Sequence, residues 1–363
     1  MRSLRRASYV AFVVACTHLV FGAIVRISGS GMGCGNHWPK CYGYWFPPLS
    51  RPDLIIEVSH RYLASILLLS LVALLVAAWR TRDEPGVGGR GGVLRSAALA
   101  MTLGLSAAML GAVTVKLGNT PIATVAHWTV AMSLVAAVAA TVVRAGGLGG
   151  AAAQLGGVSA RTRRATFAGA GMALVAVVMG GLTAKFPGAA VACLKFPLCG
   201  PNPDVLPAAV HVQLTHRTLA LLLILHLFGL LMAQRKRQEA LIVRRALVIA
   251  FSLGIGQLLV AGAMIGMHLP PVLRSLHEAV GVSIWMATFV LAYLARIASG
   301  GAAVPLMASQ PAPIDDVDEG MIRVSAAQRQ VFASAVVEPE PVGTTRSTMT
   351  HSIAVIVARG ADL

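Results

Sequence analysis

The sequence predicts an all-α membrane protein whose eight transmembrane helices form two pseudo-symmetric four-helix bundles. Of its 363 residues, 56% are hydrophobic and only 12% are charged, about half the charged share of a soluble domain. Eight apolar runs each approach the roughly 20 residues that a membrane helix needs. Glycine, cysteine and histidine positions also recur between the two halves of the chain, which indicates an internal repeat.

The eight predicted spans follow the apolar runs in chain order. They cover residues 8–25, 54–79, 94–115, 122–143, 165–184, 208–233, 246–267 and 272–297. No convincing cleavage site follows the first run, so we interpret it as a span and not as a signal peptide.

The spans divide the chain into an N-terminal half over residues 1–145 and a C-terminal half over residues 160–297. The tail over residues 298–363 contains several prolines and the acidic run from Asp315 to Glu319. We expect this tail to be a disordered cytoplasmic extension.

Basic residues predict the orientation of the chain in the membrane. Arginine and lysine concentrate on one side of the predicted spans, which the positive-inside rule assigns to the cytoplasm. Both termini are therefore expected to be cytoplasmic. The net charge of +16 then reflects this orientation, and we expect no nucleic-acid partner. The clusters lie around residues 2–6, 80–95, 144–164 and 235–245.

Four of the five cysteines form two close pairs in loops on the opposite, extracytoplasmic side. Cys34 with Cys41 and Cys193 with Cys199 are predicted to form disulfides, because such bonds persist in an oxidising compartment. The first loop directly precedes the second span, so its disulfide could be redox-active or a simple staple. For the second pair we favour a staple.

A polar motif opens the second span. Glu57, His60 and Arg61 stand where hydrocarbon is expected, and ionisable residues at membrane depth mark functional positions. The sixth span repeats the motif as Gln213-Leu214-Thr215-His216-Arg217. We interpret the two arginines either as partners of haem propionates or as side chains that extend to the outer headgroups.

Four histidines occupy equivalent depths in the even-numbered spans, one to two turns from the outer ends. They are His60, His127, His216 and His277. Two imidazoles that face each other across a four-helix bundle can ligate a haem iron axially, so each half is predicted to hold one porphyrin. A single membrane histidine is as often a packed helix residue, but four in repeated positions favour ligation. His18 and His226 lack repeat partners and receive no functional prediction.

One difference between the halves predicts which of them performs chemistry. Glu57 in the first half corresponds to Gln213 in the second. A buried carboxyl can exchange protons during substrate oxidation and an amide cannot. We therefore predict the reaction site in the first half and a resident cofactor in the second. The alternative is that Glu57 is an interfacial residue that the dipole at the helix start favours.

The segment GAIVRISGSGMGCGNHWPKC, residues 22–41, resembles the first outer loop of heme A synthases. Glu57-x-x-His60-Arg61 resembles the second helix of that family, and the other three histidines fall at its remaining histidine positions. The resemblance covers about residues 8–297. The loop departs from the family pattern at His37 and Lys40, where acidic and apolar residues are expected.

This resemblance implies a membrane oxidoreductase, acting on a CH or CH2 group, that converts the C8 methyl of haem O to a formyl group by successive hydroxylations. It implies that His60 and His127 flank the substrate iron, that His216 and His277 ligate a haem b, and that turnover needs Glu57. It also implies that the Cys34–Cys41 pair passes reducing equivalents. The haem O synthase, a farnesyltransferase, is the candidate protein partner, and the electron donor or acceptor is not identified.

Two other functions compete with this one. A quinol-linked haem b electron carrier is the first alternative, but the sequence offers no inner histidine pair and the Glu57–Gln213 difference also counts against it. A transporter is the second, but histidines confined to one depth fit a fixed site better than a translocation path.

Overall fold

The computed structural model describes residues 2–193, 195–200 and 202–300, and within them the chain is helical. An isolated antiparallel bridge pairs Cys41 with Tyr44. Short 3-10 turns occur at Ser30–Met32 and Ala189–Val191. The helices are α1 Arg2–Ile27, α2 Pro52–Arg80, α3 Val93–Lys116, α4 Pro121–Arg144, α5 Gly150–Gln154, α6 Ala160–Lys185, α7 Pro207–Gln234, α8 Leu241–Gly266 and α9 Pro271–Ala298.

All of these helices except the short α5 are long and apolar enough to cross a membrane, so the predicted eight spans are confirmed. The chain is an all-α, multi-pass membrane protein. The grouping into two pseudo-symmetric bundles over residues 1–145 and 160–297 stays a prediction. The predicted disordered tail lies, from residue 301 onward, outside the described residues.

The largest differences from the predicted bounds occur at the arginine-rich ends. Helix α1 begins at Arg2 and not at residue 8, and α6 and α8 each begin five residues earlier than predicted. Apolar runs mark only the part of a helix that crosses hydrocarbon. Arginine is a good helix former and its long side chain reaches the headgroups, so the helices continue beyond the apolar runs.

Each helix that carries a candidate histidine begins with a proline. Proline is favoured at the first helical position, because its fixed φ suits a helix and its missing N–H is not needed there. The histidine follows six residues later in α4 and α9, eight in α2 and nine in α7. At 1.5 Å per residue, the imidazoles lie roughly 9–14 Å from the helix starts. These prolines are Pro52, Pro121, Pro207 and Pro271.

Helices α4 and α9 form the centre of the molecule. The inner half of α4 is buried continuously from Leu134 to Val143, and α9 has the largest buried share of the eight spans. The indole of Trp285 on α9 donates a hydrogen bond to the carbonyl of Met132 on α4 at 3.1 Å. The two helices that carry His127 and His277 are therefore packed together at the junction of the two halves.

Glu239, in the loop between α7 and α8, fixes that loop to the start of α6. Its carboxylate is 7% exposed and accepts hydrogen bonds from the Ser159 backbone N–H at 2.9 Å and the Thr162 hydroxyl at 2.6 Å. Ser159 is also the N-cap of α6. Burial acts to raise the pKa of the Glu239 carboxyl, but these hydrogen bonds and the charge of Arg237 outweigh burial and lower it.

We expect Glu239→Ala to destabilise the protein by about 1–3 kcal/mol, because it leaves the buried Thr162 hydroxyl and two donors of Ser159 without their acceptor. The measurement is the thermal unfolding midpoint in detergent at pH 7. Asp83→Ala removes an exposed carboxylate from another loop and should leave the midpoint unchanged.

The destabilisation should depend on pH with a defined sign. A carboxyl whose pKa is lowered on folding stabilises fully above its ordinary pKa of about 4.3, and this contribution is lost as the pH falls further. The parent and Glu239→Ala midpoints should therefore converge below about pH 4. If the parent and Glu239→Ala midpoints stay equally far apart as the pH falls below about 4, the ionised carboxylate is not the source of the stability.

Candidate functional site

His216 on α7 and His277 on α9 face each other in the second half. Their ring centres are 6.4 Å apart and the rings are nearly perpendicular, at 79°. Metal–imidazole bonds of about 2 Å on each side place two ring centres roughly 6 Å apart. The imidazoles are thus spaced to hold one metal between them.

The His216 ring is also oriented by its neighbour helix. Its Nδ1 is 3.0 Å from the Ala176 carbonyl of α6, which leaves Nε2 for another partner. Ligating histidines commonly use their second ring nitrogen in this way, and the contact fixes both tautomer and orientation. The Nδ1 atom of His277 is buried and has no hydrogen-bond partner.

Glycines on neighbouring helices make room for three of the four candidate imidazoles. A Cβ added at Gly180 of α6 would lie 2.9 Å from Cε1 of His216. Cβ atoms at Gly22 and Gly111 would lie 3.2 Å and 3.3 Å from the Cε1 atoms of the two first-half histidines, His60 and His127 respectively. Gly262, which matches Gly111 in the repeat, contacts Phe196 instead of His277.

A cavity of about 600 Å³ occupies the outer part of the first half, within the range of small-molecule sites. His60 and His127 both line it, as does the carboxylate-bearing Glu57. The His127 Nδ1 atom is 3.0 Å from the Ala107 carbonyl, which repeats the arrangement of His216. The cavity extends beyond the first half, because Lys185 of α6 and Glu278 of α9 also line it.

His18 also lines the cavity, although we made no functional prediction for it. Its ring is stacked on the His60 ring with centres 4.2 Å apart and planes within 5°. The Nε2 of His18 and the Nδ1 of His60 are buried without hydrogen-bond partners. His18 lies one turn before Gly22 on the same face of α1, and that spacing is the signal that could have identified it.

Glu57 and Gln213 lie at equivalent positions in the two halves, and each side chain contacts the cysteine loop that precedes its helix. Glu57 is 4% exposed, and its Oε2 accepts a hydrogen bond from the Cys34 backbone N–H at 2.8 Å. The Gln213 Oε1 accepts from the Cys193 N–H at 2.6 Å. Only Glu57 adds an ion pair, because its Oε1 accepts from the Arg61 guanidinium at 2.5 Å. Both residues anchor a loop, and only the first half carries a charge at this position.

The two motif arginines also contact the loops. Arg61 donates to the Pro39 carbonyl at 2.9 Å, and Arg217 donates to the carbonyls of Lys195 at 2.7 Å and Cys193 at 3.0 Å. Each guanidinium therefore ties the start of its helix to the cysteine loop that precedes it.

Both predicted disulfides are present. The Cα atoms are 4.9 Å apart for Cys34 and Cys41 and 4.6 Å apart for Cys193 and Cys199, within the usual range for a disulfide. Cys16 is a free, half-buried thiol.

An ion pair joins α1 to α9 beside the second site. Arg26 of α1 donates to the carboxylate of Glu278, the residue that follows His277. This contact between the two halves was not predicted. His226, by contrast, forms a 2.8 Å contact between Nε2 and the Ala165 carbonyl, as expected of a histidine that connects two helices.

In comparisons with known proteins, this chain matches one family model and is similar to proteins named heme A synthase. The family model COX15-CtaA, described as cytochrome oxidase assembly protein, matches residues 5–55 and 51–289. A protein named heme A synthase from Shouchella clausii is 28% identical over 264 residues, covering 72% of this chain and 84% of its own. The heme A synthase of Bacillus licheniformis is 27% identical over 61% of this chain and 72% of its own.

A third relative matches a shorter segment. Protoheme IX farnesyltransferase of Thermus thermophilus is 41% identical over 83 residues, which cover 22% of this chain and 13% of that protein.

We expect Gly180→Ala to weaken haem binding in the second half by about tenfold or more, because the added methyl group displaces His216 from its fixed orientation. The measurement is haem content and the Soret spectrum of the purified protein.

Gly171→Ala is the matched control on α6, since a Cβ there meets no atom within 4 Å. Equal haem content in the two variants would contradict the role of Gly180.

Proposed function

Since this chain belongs to the COX15-CtaA family of cytochrome oxidase assembly proteins, we propose that it is a heme A synthase that oxidises the C8 methyl of haem O to a formyl group. The observation that carries the proposal is the pairing of two unlike histidine sites. One is a close imidazole pair spaced for a metal, and the other opens into a cavity beside a buried carboxylate. A haem b electron carrier does not require this difference and is not favoured.

The second half is the proposed site of a resident haem b, which His216 and His277 would hold. The 6.4 Å separation of their rings, the Ala176 carbonyl at His216 and the absent side chain at Gly180 support this assignment. Haem b supplies one-electron redox chemistry when it is bound. The Ala176 carbonyl orients the His216 imidazole, and the absence of a side chain at Gly180 leaves space for that imidazole ring.

The first half is the proposed substrate site, where His60 and His127 flank the haem O iron. His127 is held by the Ala107 carbonyl, whereas His60 has no equivalent restraint and stacks on His18. The apolar lining excludes water from the methyl group that reacts.

Glu57 is the proposed proton-exchanging group of this site. Its carboxylate lines the cavity and is held by Arg61 and by the Cys34 N–H. The Cys34–Cys41 disulfide stays the proposed carrier of reducing equivalents, supported by the hydrogen bond from the Cys34 N–H of its loop to Glu57, a residue of the cavity lining. Arg61 and Arg217 stay candidates for propionate binding, although their guanidinium groups already donate to the loops.

The proposed orientation places both cysteine loops outside the cytoplasm and the N-terminus inside, as the basic residues predict. A haem O synthase is the proposed partner. A protein named protoheme IX farnesyltransferase contains a segment similar to this chain, which supports proximity of the two reactions.

The primary test is conversion of haem O. We expect cells that express this chain together with a haem O supply to accumulate haem A or its hydroxylated precursor, measured by chromatography of extracted haems. Haem b as the sole haem that copurifies, with haem O abundant and unconverted, would favour the electron carrier.

A second test concerns Glu57. We expect Glu57→Gln to keep haem binding, because Gln213 already supports the equivalent loop, and to lower the rate of product formation by at least about a hundredfold. The measurement is the turnover of haem O by the purified variant.

The reciprocal variant Gln213→Glu is the matched control, and it should retain haem O oxidation because it alters only the second-half loop anchor. Full activity in Glu57→Gln would remove Glu57 from the mechanism.

A further inference from the structure

The cavity of the first half has more positive than negative side chains. Three cationic residues line it, Arg26, Arg61 and Lys185. Two carboxylates line it, Glu57 and Glu278. The excess of one positive charge means that the side chains alone do not balance their charges.

The ion pairs identify which cation is in excess. Arg61 is bonded to Glu57 at 2.5 Å, and Arg26 is bonded to Glu278. Lys185 has no hydrogen-bond or ion-pair partner among the residues that the structure describes. Its ammonium is thus the one cation of this cavity that a bound anion could pair with, without displacing a carboxylate.

The position of Lys185 leaves its positive charge partly buried. Lys185 is the last residue of α6, at the outer end of the span, and it is half-buried. A partly buried charge without a partner is costly, so an anion that enters the cavity gains from pairing with it. Elsewhere the cavity is lined by small apolar residues of α3, including Ala107, Ala108 and Gly111. The cavity therefore favours a flat apolar molecule that carries its carboxylate on the outward edge.

We infer that Lys185 binds a carboxylate of the molecule held in the first-half cavity, so that the second half of the chain supplies part of the first-half site. The inference rests on the proposed function, in which that molecule is haem O and the carboxylate is one of its propionates. His60 and His127 lie six or more residues inside their helices, whereas Lys185 ends α6, so a molecule that both histidines held would have its carboxylate edge free to pair with the ammonium.

The test measures affinity and not turnover. The full chain is purified in detergent with its second-half site saturated with haem b, and haem O or haem O dimethyl ester is titrated in while the Soret difference is followed. The variants are Lys185→Met and Lys185→Arg. Lys116→Met is the matched control, because Lys116 ends another span on the same side and donates to the Asn36 carbonyl outside the cavity lining.

We expect the parent to bind the dimethyl ester about tenfold more weakly than haem O, as the loss of one charged hydrogen bond at a partly exposed site predicts. Lys185→Met should bind haem O about tenfold more weakly and bind the ester as the parent does. Lys185→Arg and Lys116→Met should behave like the parent.

Three outcomes would overturn the inference. Unchanged haem O affinity in Lys185→Met would mean that solvent or a lipid phosphate neutralises the lysine. Equal weakening of haem O and ester would mean that Lys185 supports the fold. A parent that binds no haem O would overturn the proposed function as well, which separates the two failures. Haem b content verifies folding, and Lys185→Gln repeats the test if Lys185→Met loses its haem b.

Discussion

The packing of imidazoles against glycine determines how this molecule can carry histidines at membrane depth. Helices in lipid associate closely where small residues meet, and a histidine between two such helices needs space for its ring. Gly111 and Gly180 provide the space for His127 and His216, and the carbonyls of the same neighbouring helices accept from Nδ1. A larger residue at either glycine would force the ring away from that carbonyl.

The first half departs from this arrangement in one place. Gly22 contacts His60 as Gly180 contacts His216. One turn before Gly180 stands Ala176, whose carbonyl holds His216, but one turn before Gly22 stands His18, whose ring stacks on His60. The His60 ring is therefore supported by a ring contact instead of a hydrogen bond. Together with the charge at Glu57, this makes the histidine sites of the two halves chemically unlike.

The sequence predicted the features that repeat and missed those that do not. The apolar runs predicted eight spans, the cysteine spacing predicted both disulfides, and the recurring histidines include the close pair of the second half. His18 was set aside because it has no repeat partner. Lys185 and the Arg26–Glu278 pair were missed because they arise where the halves pack together. A comparison of one half with the other carries no information on contacts between them.

The Arg26–Glu278 pair also constrains the biogenesis of the protein. Synthesis proceeds from the N-terminus, so Arg26 enters the bilayer with α1 while its counter-ion follows only with α9, the last span. Until then the nascent chain holds an uncompensated guanidinium in the last turn of α1. The site around His60 is enclosed only when translation of α9 is complete. A chain that stops after α4 accordingly lacks both the carboxylate that neutralises Arg26 and the part of the cavity lining that α9 supplies.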